Sequence, residues 1–240
     1  MHFDDLAIAR TAKAYMRLQD DVSTGGHAVV VTPGPPGAGK SEARETMALQ
    51  RYRVIDPDVA KDLLLRDADA NGLLAYRHTH VLPDGKPVGI RELAAHIHSA
   101  SSRTTDVVRR LALSAGENVV LDGTLSWRPL IDVYINELFS AGYEDLEVVN
   151  VEAPLHVATE RARTRWWHGR QRDLDLGGRF VAEKVIQGYY ENHSWQSSCA
   201  ANALILAERA ADELGAGKLS RFDVDPATGV VTLSSETVFR

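Results

Sequence analysis

Residues 34–41, GPPGAGKS, fit the pattern G-x-x-x-x-G-K-[ST] and stand between a run of β-branched residues and a helix-forming stretch. Glycines at Gly34, Gly37 and Gly39 let the backbone, with Ala38, turn its N–H groups inward on a phosphate. The positive end of the following helix adds to that attraction. Lys40 then reaches the β- and γ-phosphates, and Ser41 ligates Mg²⁺. A plain glycine turn explains neither the Lys-Ser pair nor the flanking elements. A Gly-x-Gly-x-x-Gly dinucleotide loop fails for want of its third glycine. With no Asn-Lys-x-Asp segment to read guanine, ATP fits better than GTP.

Further polar residues fall where such a loop needs company. "VIDPD" puts Asp56 and Asp58 at the end of an apolar run, the edge at which open α/β sheets gather ligands. A carboxylate there can take the proton of a hydroxyl as its oxygen attacks the γ-phosphate. Asp58 can instead cap the helix over residues 59–65. "VVLDGT" puts Asp122 and Thr124 at the same edge. Gly123 follows Asp122 where a water-activating ATPase would more often carry a second acid, which favours substrate or metal binding. Arg161, Arg163, Arg165, Arg170, Arg172 and Arg179 crowd into one region. Arginines on a mobile lid can neutralise charge on a transferred phosphoryl group and exclude water, while any one of them alone can simply be solvated. The His78/His80 and His96/His98 pairs lack further ligands at metal-binding spacing.

Positioning these groups falls to alternating short apolar runs and helical stretches, which read as α/β with a mostly parallel sheet. Strands are expected at 27–32, 52–55, 118–121 and 146–151, and one long helix or two abutting ones at 91–113. A helix at 4–19 should pack outside the core. Residues 67–89 read as a long loop, 200–214 as a helix, and the C-terminal stretch as two strands around a turn at 226–229. The 240 residues suit one domain: an N-terminal helical extension at 1–25, a lid at 161–179 and terminal strands at 219–234. A net charge of −6 argues against broad nucleic-acid binding. No apolar run reaches membrane-spanning length, the start lacks a signal-peptide pattern, and the single cysteine, Cys199, is expected to be buried. These features predict a cytoplasmic protein held together by packing alone.

Taken in order, the motifs resemble the zeta toxin family of P-loop small-molecule kinases, over residues 29 to about 233. "VIDPDVAKDLL" looks like the family's I-D-x-D segment, which implies a catalytic base at Asp58. "RTTDVVRRLALSAGENVVLDGT" looks like its helix-then-strand stretch, implying substrate binding by Asp106, Asp122 and Thr124. Asp106 read by itself is a helix-surface partner of Arg103 or Arg109. "VEAPLHVATERARTR" and "GGRFVAEKV" look like the segments with the family's two transition-state arginines, here Arg161 and Arg179, with Arg172 competing for the second place. The resemblance implies a P-loop kinase-like three-layer sandwich with an arginine-rich lid. It further implies ATP and Mg²⁺, the nucleotide sugar UDP-N-acetylglucosamine as acceptor, and a small helical antitoxin as partner. Family members often carry an arginine soon after the acid-Gly-Thr, where this chain has Leu125-Ser126-Trp127-Arg128. That departure keeps other nucleotide sugars, NAD, and a P-loop ATPase or switch open as alternatives.

Overall fold

The protein is described by a computed structural model covering residue 1, residues 3–190 and residues 194–240. It divides into two compact units. One comprises Asp21–Ile55, Arg109–Glu160 and Glu183–Arg240; the other comprises Met1–Asp20, Asp56–Val108 and Arg161–Ala182. The first is here called the sheet unit and the second the helical unit.

Among the described residues the sheet unit holds six strands: β1 (Val29–Thr32), β2 (Arg53–Ile55), β3 (Val119–Asp122), β4 (Asp145–Glu152), β5 (Ala216–Val224) and β6 (Val231–Phe239). Their order is β2-β3-β1-β4-β5-β6; the first five run parallel, and β6 returns antiparallel on β5. Val29, Val30 and Val31 are buried and lie opposite Val119, Val120 and Leu121 in register. A parallel strand covered on both faces reads as an unbroken apolar run, which is why these strands fall within a residue or two of their expected places. Helix α8 (Ser198–Glu213), which follows the short α7 (Glu183–Gln187), packs on β4 and β5, and α5 (Leu130–Ser140) packs on α8. Arg53 and Glu117, both almost fully buried, form a two-pronged ion pair, one arm of it Nη2 to Oε1 at 2.8 Å. Tyr143 donates its hydroxyl to the Glu117 carbonyl at 2.5 Å.

The helical unit is built from α1 (Asp5–Met16), α3 (Pro57–Ala70), a 3₁₀ stretch over Ile90–Ile97 and the start of α4 (His98–Ser114). The stretch at 91–113 is thus two abutting helices of different pitch. Phe3, Ile8, Leu64, Leu65, Leu74, Ile90, Leu93 and Ile97 form the core of this unit. Two expectations give way here. Helix α1 does not lie outside the core: Ile8, Ala12 and Tyr15 are buried, because their spacing makes one stripe that closes on α3. Residues 67–89 are not one long loop, since α3 runs on to Ala70 with Ala68 buried among its polar neighbours. Asn71 and Gly72, the latter at φ 75°, then turn the chain into a 3₁₀ helix over Ala75–Thr79.

Arginines brace the helical unit. Helix α6 (Leu155–Arg172) carries Arg170, only 2% exposed, into a carboxylate pocket where it meets Asp84 at 2.6 Å and Glu92 at 2.8 Å. Arg77 similarly ties Asp69 at 3.1 Å to Asp175 at 2.5 Å. Arg170 therefore stands apart from the solvated or mobile arginines expected across 161–179.

Candidate active site

The phosphate-loop motif closes the C-terminal end of β1 in the sheet unit. A Cβ on Gly34 would collide with the Val151 carbonyl oxygen, and one on Gly37 with the Ala158 carbonyl oxygen. Gly37 and Gly39 also have φ of 85° and 94°, a region that only glycine enters freely. Pro33, just before the loop, is pinned through its carbonyl, which accepts the Val151 amide at 3.0 Å. Helix α2 (Lys40–Glu45) starts inside the motif, with Gly39 as its N-cap. The Lys40 ammonium donates to the Gly34 carbonyl at 2.8 Å, so it lies across the loop's mouth. Ser41 beside it is exposed to solvent. Among the described residues no group of three or more His, Cys, Asp or Glu could hold a metal ion.

Buried polar groups brace this half from behind. Glu152, 1% exposed at the end of β4, accepts the Ser197 amide at 2.8 Å and its hydroxyl at 2.7 Å. Burial pushes the Glu152 carboxyl up, and the bonds from Ser197 and Asn150 oppose that. Ser197 in turn caps α8.

Asp122, the last residue of β3, lies opposite Thr32 in register and accepts its hydroxyl at 2.9 Å. Its other oxygen takes Arg44 of α2 at 2.6 Å. The chain then turns through Leu125, a non-glycine at φ 53°, whose carbonyl is held by the Asn202 amide at 2.7 Å. Backbone held in this region costs about 1–3 kcal/mol and persists where its surroundings over-determine it. The turn presents Thr124, whose hydroxyl lies 3.1 Å from that of Ser126. Burial pushes the nearby Tyr189 phenol up, opposed by its hydrogen bond with Thr124.

In the helical unit, Asp56 caps α3 and Pro57 takes the first helical position, where a missing N–H costs nothing. Tyr15 locks that cap from α1: its hydroxyl accepts the Asp56 amide at 2.8 Å. Asp58 and Asp62 follow one turn apart, so their side chains share a face of α3. One guanidinium joins them, with Arg179 Nη1 at 2.5 Å from Asp58 and Nη2 at 3.0 Å from Asp62. Lys61 meets the other Asp58 oxygen at 3.0 Å, and Arg91 grips Asp62 in a fork with contacts of 2.7–3.2 Å. Burial lowers the Lys61 ammonium, offset by Asp56 and Asp62. Burial likewise disfavours charge on Arg179, offset by Asp56 and Tyr15.

Asp58 and Arg179 thus come together, Asp122 and Thr124 share one strand end and turn, and Gly34 to Gly39 form one loop that runs directly into Lys40 and Ser41 of α2. Asp106 is half-buried on α4, and its neighbour Arg103 turns to the Phe3 carbonyl and Asp5. Arg161 is half-buried on α6, whereas Arg172 ends that helix exposed. Sequence reasoning missed Arg44, Lys61, Asp62 and Arg91. Only the Asp58/Asp62 spacing carried a signal, because two acids one helical turn apart repel unless a cation joins them.

The fold is shared with solved structures. The PezAT chromosomal toxin-antitoxin system of Streptococcus pneumoniae superposes with a TM-score of 0.61 at 11% identity, over 98% of this chain and 81% of that one. The AvrRxo1-ORF1:AvrRxo1-ORF2 complex crystallised with sulphate ions gives 0.60 at 18% identity, over 96% of this chain. The chain spans 64% of the length of that AvrRxo1 chain. No curated protein matches the sequence. The family model for zeta toxin matches residues 14–206, which takes in the phosphate loop, both acid segments and the arginine region, and the chain belongs to the zeta toxin family.

Proposed function

We propose that this protein is an ATP-dependent small-molecule kinase, moving the γ-phosphoryl group of ATP to a sugar hydroxyl of UDP-N-acetylglucosamine or a related nucleotide sugar. The observation that carries the reading is the loop at the end of β1, where only glycine fits at Gly34 and Gly37 and where Lys40 and Ser41 follow directly. Backbone N–H groups from Gly34 to Ser41 hold the phosphates, and Lys40 leaves its carbonyl partner for the β- and γ-oxygens. Mg²⁺ held by Ser41 supplies charge neutralisation on those oxygens.

Asp58 takes the proton from the acceptor hydroxyl as that oxygen bonds to the γ-phosphorus and the β–γ bridging bond breaks. Its separation from the capping role of Asp56 supports that assignment. Arg161 and Arg179 meet the charge that develops on the transferred group. Asp122 and Thr124, at the end of β3, and Asp106 on α4 bind the acceptor. A domain spanning 1–240, a lid at 161–179, a cytoplasmic location and a small helical antitoxin belong to the same proposal. The PezAT and AvrRxo1 neighbours support an antitoxin because their structures are named as a toxin-antitoxin system and a two-protein complex.

Purified protein with ATP and Mg²⁺ against a panel of UDP-sugars, NAD and nucleosides, read by mass spectrometry, tests the reading. A phosphorylated UDP-sugar is expected. A phosphorylated NAD or nucleoside with every UDP-sugar untouched retains the kinase and removes the substrate. ATP hydrolysis indifferent to every acceptor removes the kinase.

A further inference from the structure

Arg91, Asp62, Arg179, Asp58 and Lys61 form a chain of alternating charge in which each neighbour is in direct contact. Three of its members lie on α3 within a single turn, Arg91 comes from the 3₁₀ stretch, and Arg179 comes from the segment after α6. Asp58 and Asp62 would repel each other as i, i+4 neighbours, so the face of the helix itself calls for a cation between them. A guanidinium is planar with fixed donors, so a grip at both ends sets its direction as well as its position.

The two carboxylates are not equivalent. Asp58 is the more exposed of the pair, with its side chain 33% exposed against 17% for Asp62. Asp62 is also the better anchored, because Arg91 holds both of its oxygens. During transfer Asp58 must give up contacts to receive a proton, whereas nothing in the reaction asks Asp62 to let go.

We propose that Asp62 is a positioning residue for Arg179: backed by Arg91, it holds the guanidinium beside Asp58 so that the arginine enters the transition state already aimed. The inference rests on the role given above to Arg179. It explains why Arg179 rather than Arg172 serves, since Arg172 ends α6 exposed and lies outside the five-residue chain. Loss of aim from a residue outside the chemistry is worth up to about 100-fold in turnover.

The test is a double-mutant cycle on the full chain with Asp62→Asn and Arg179→Ala. Initial rates are measured with ATP, Mg²⁺ and UDP-N-acetylglucosamine, and in parallel with water as the acceptor; amide hydrogen exchange is followed over residues 173–182. Asp62→Asn should lower kcat about 10- to 100-fold with KM for ATP unchanged, and should speed exchange in that segment. Neither effect should grow further when Arg179→Ala is already present, because the two residues act as one unit. Full kcat in Asp62→Asn, losses that simply add, or unchanged exchange over 173–182 each overturn the inference. Arg179→Ala at full kcat overturns the role of Arg179 itself, and the inference with it. If the wild type turns over neither acceptor, the kinase reading fails, and the exchange comparison alone decides whether Asp62 orders Arg179.

Discussion

Oδ1 of Asp56 accepts the backbone amide of Asp58 at 2.7 Å. Capping of α3 therefore belongs to the first acid of the Asp-Pro-Asp segment, and the second is left to Lys61 and Arg179. The two acids should separate cleanly under mutation. Asp58→Asn should cut phosphoryl transfer by roughly two to four orders of magnitude, the usual worth of a positioned base, with an unchanged melting temperature. Asp56→Ala should lose about 1 kcal/mol of stability, as lost helix caps do. Thermal melts beside turnover measurements check both, and a small activity loss in Asp58→Asn would return it to a structural role.

The reach of sequence reasoning follows from where each feature gets its energy. Val29 to Val31 and Val119 to Leu121 announce themselves because central parallel strands need apolar residues on both faces. The loop at 34–41 is legible for a related reason: its backbone demands glycine whatever surrounds it. Helix α1 hides its buried face from sequence because Leu6, which looks like part of an apolar face, is exposed, while Thr11 is buried. Polarity hid the end of α3 in the same way. The contacts of Arg179, Arg44 and Arg170 join residues far apart in the chain, and local pattern holds no record of such pairings.

Lys40→Ala should abolish transfer while leaving the fold intact, because its ammonium donates to the loop carbonyls of Gly34 and Pro35 rather than to the core. Gly37→Ala should do the same by another route, distorting the loop against the Ala158 carbonyl. Calorimetric ATP titration beside far-UV circular dichroism distinguishes the two: Gly37→Ala should lose nucleotide binding outright, Lys40→Ala chiefly turnover.

Arg179→Ala and Arg161→Ala should lower kcat far more than they raise KM for ATP, since an arginine that meets developing charge acts in the transition state. Arg172→Ala should leave both constants unchanged. Steady-state kinetics in which Arg172 proves essential and Arg179 dispensable would move the lid assignment.

The buried pair of Arg53 and Glu117 should dominate the stability of its neighbourhood. Glu117→Ala takes both carboxylate oxygens away from a guanidinium that is 4% exposed and should cost about 3–5 kcal/mol by urea denaturation. Replacing both partners with apolar residues, Arg53→Met with Glu117→Leu, should recover most of that loss. A mild effect from Glu117→Ala alone would mean that water reaches the site.

Acid sensitivity should trace partly to Asp84. The Arg170 guanidinium beside it holds its carboxyl at about 2, below the ordinary 3.8, with burial opposing and the Lys86 amide assisting. A carboxyl lowered on folding lends stability that is present above its unfolded pKa and is lost as pH falls toward the folded one. Asp84→Asn should therefore flatten the fall in stability between about pH 4 and pH 2. An identical slope in the variant, followed by denaturant titration at several pH values, would remove Asp84 from the account.

Cys199, the one cysteine in the sequence, is fully buried at the start of α8, its thiol held at about 12 chiefly by burial. At neutral pH it is both out of reach and protonated, so an alkylating reagent can modify it only when its surroundings open. A thiol-trapping time course thus becomes a clock for opening of the unit that carries the phosphate loop. Any nucleotide or acceptor that binds only the closed form must slow this clock in step with its occupancy, giving a ligand screen that needs no turnover at all.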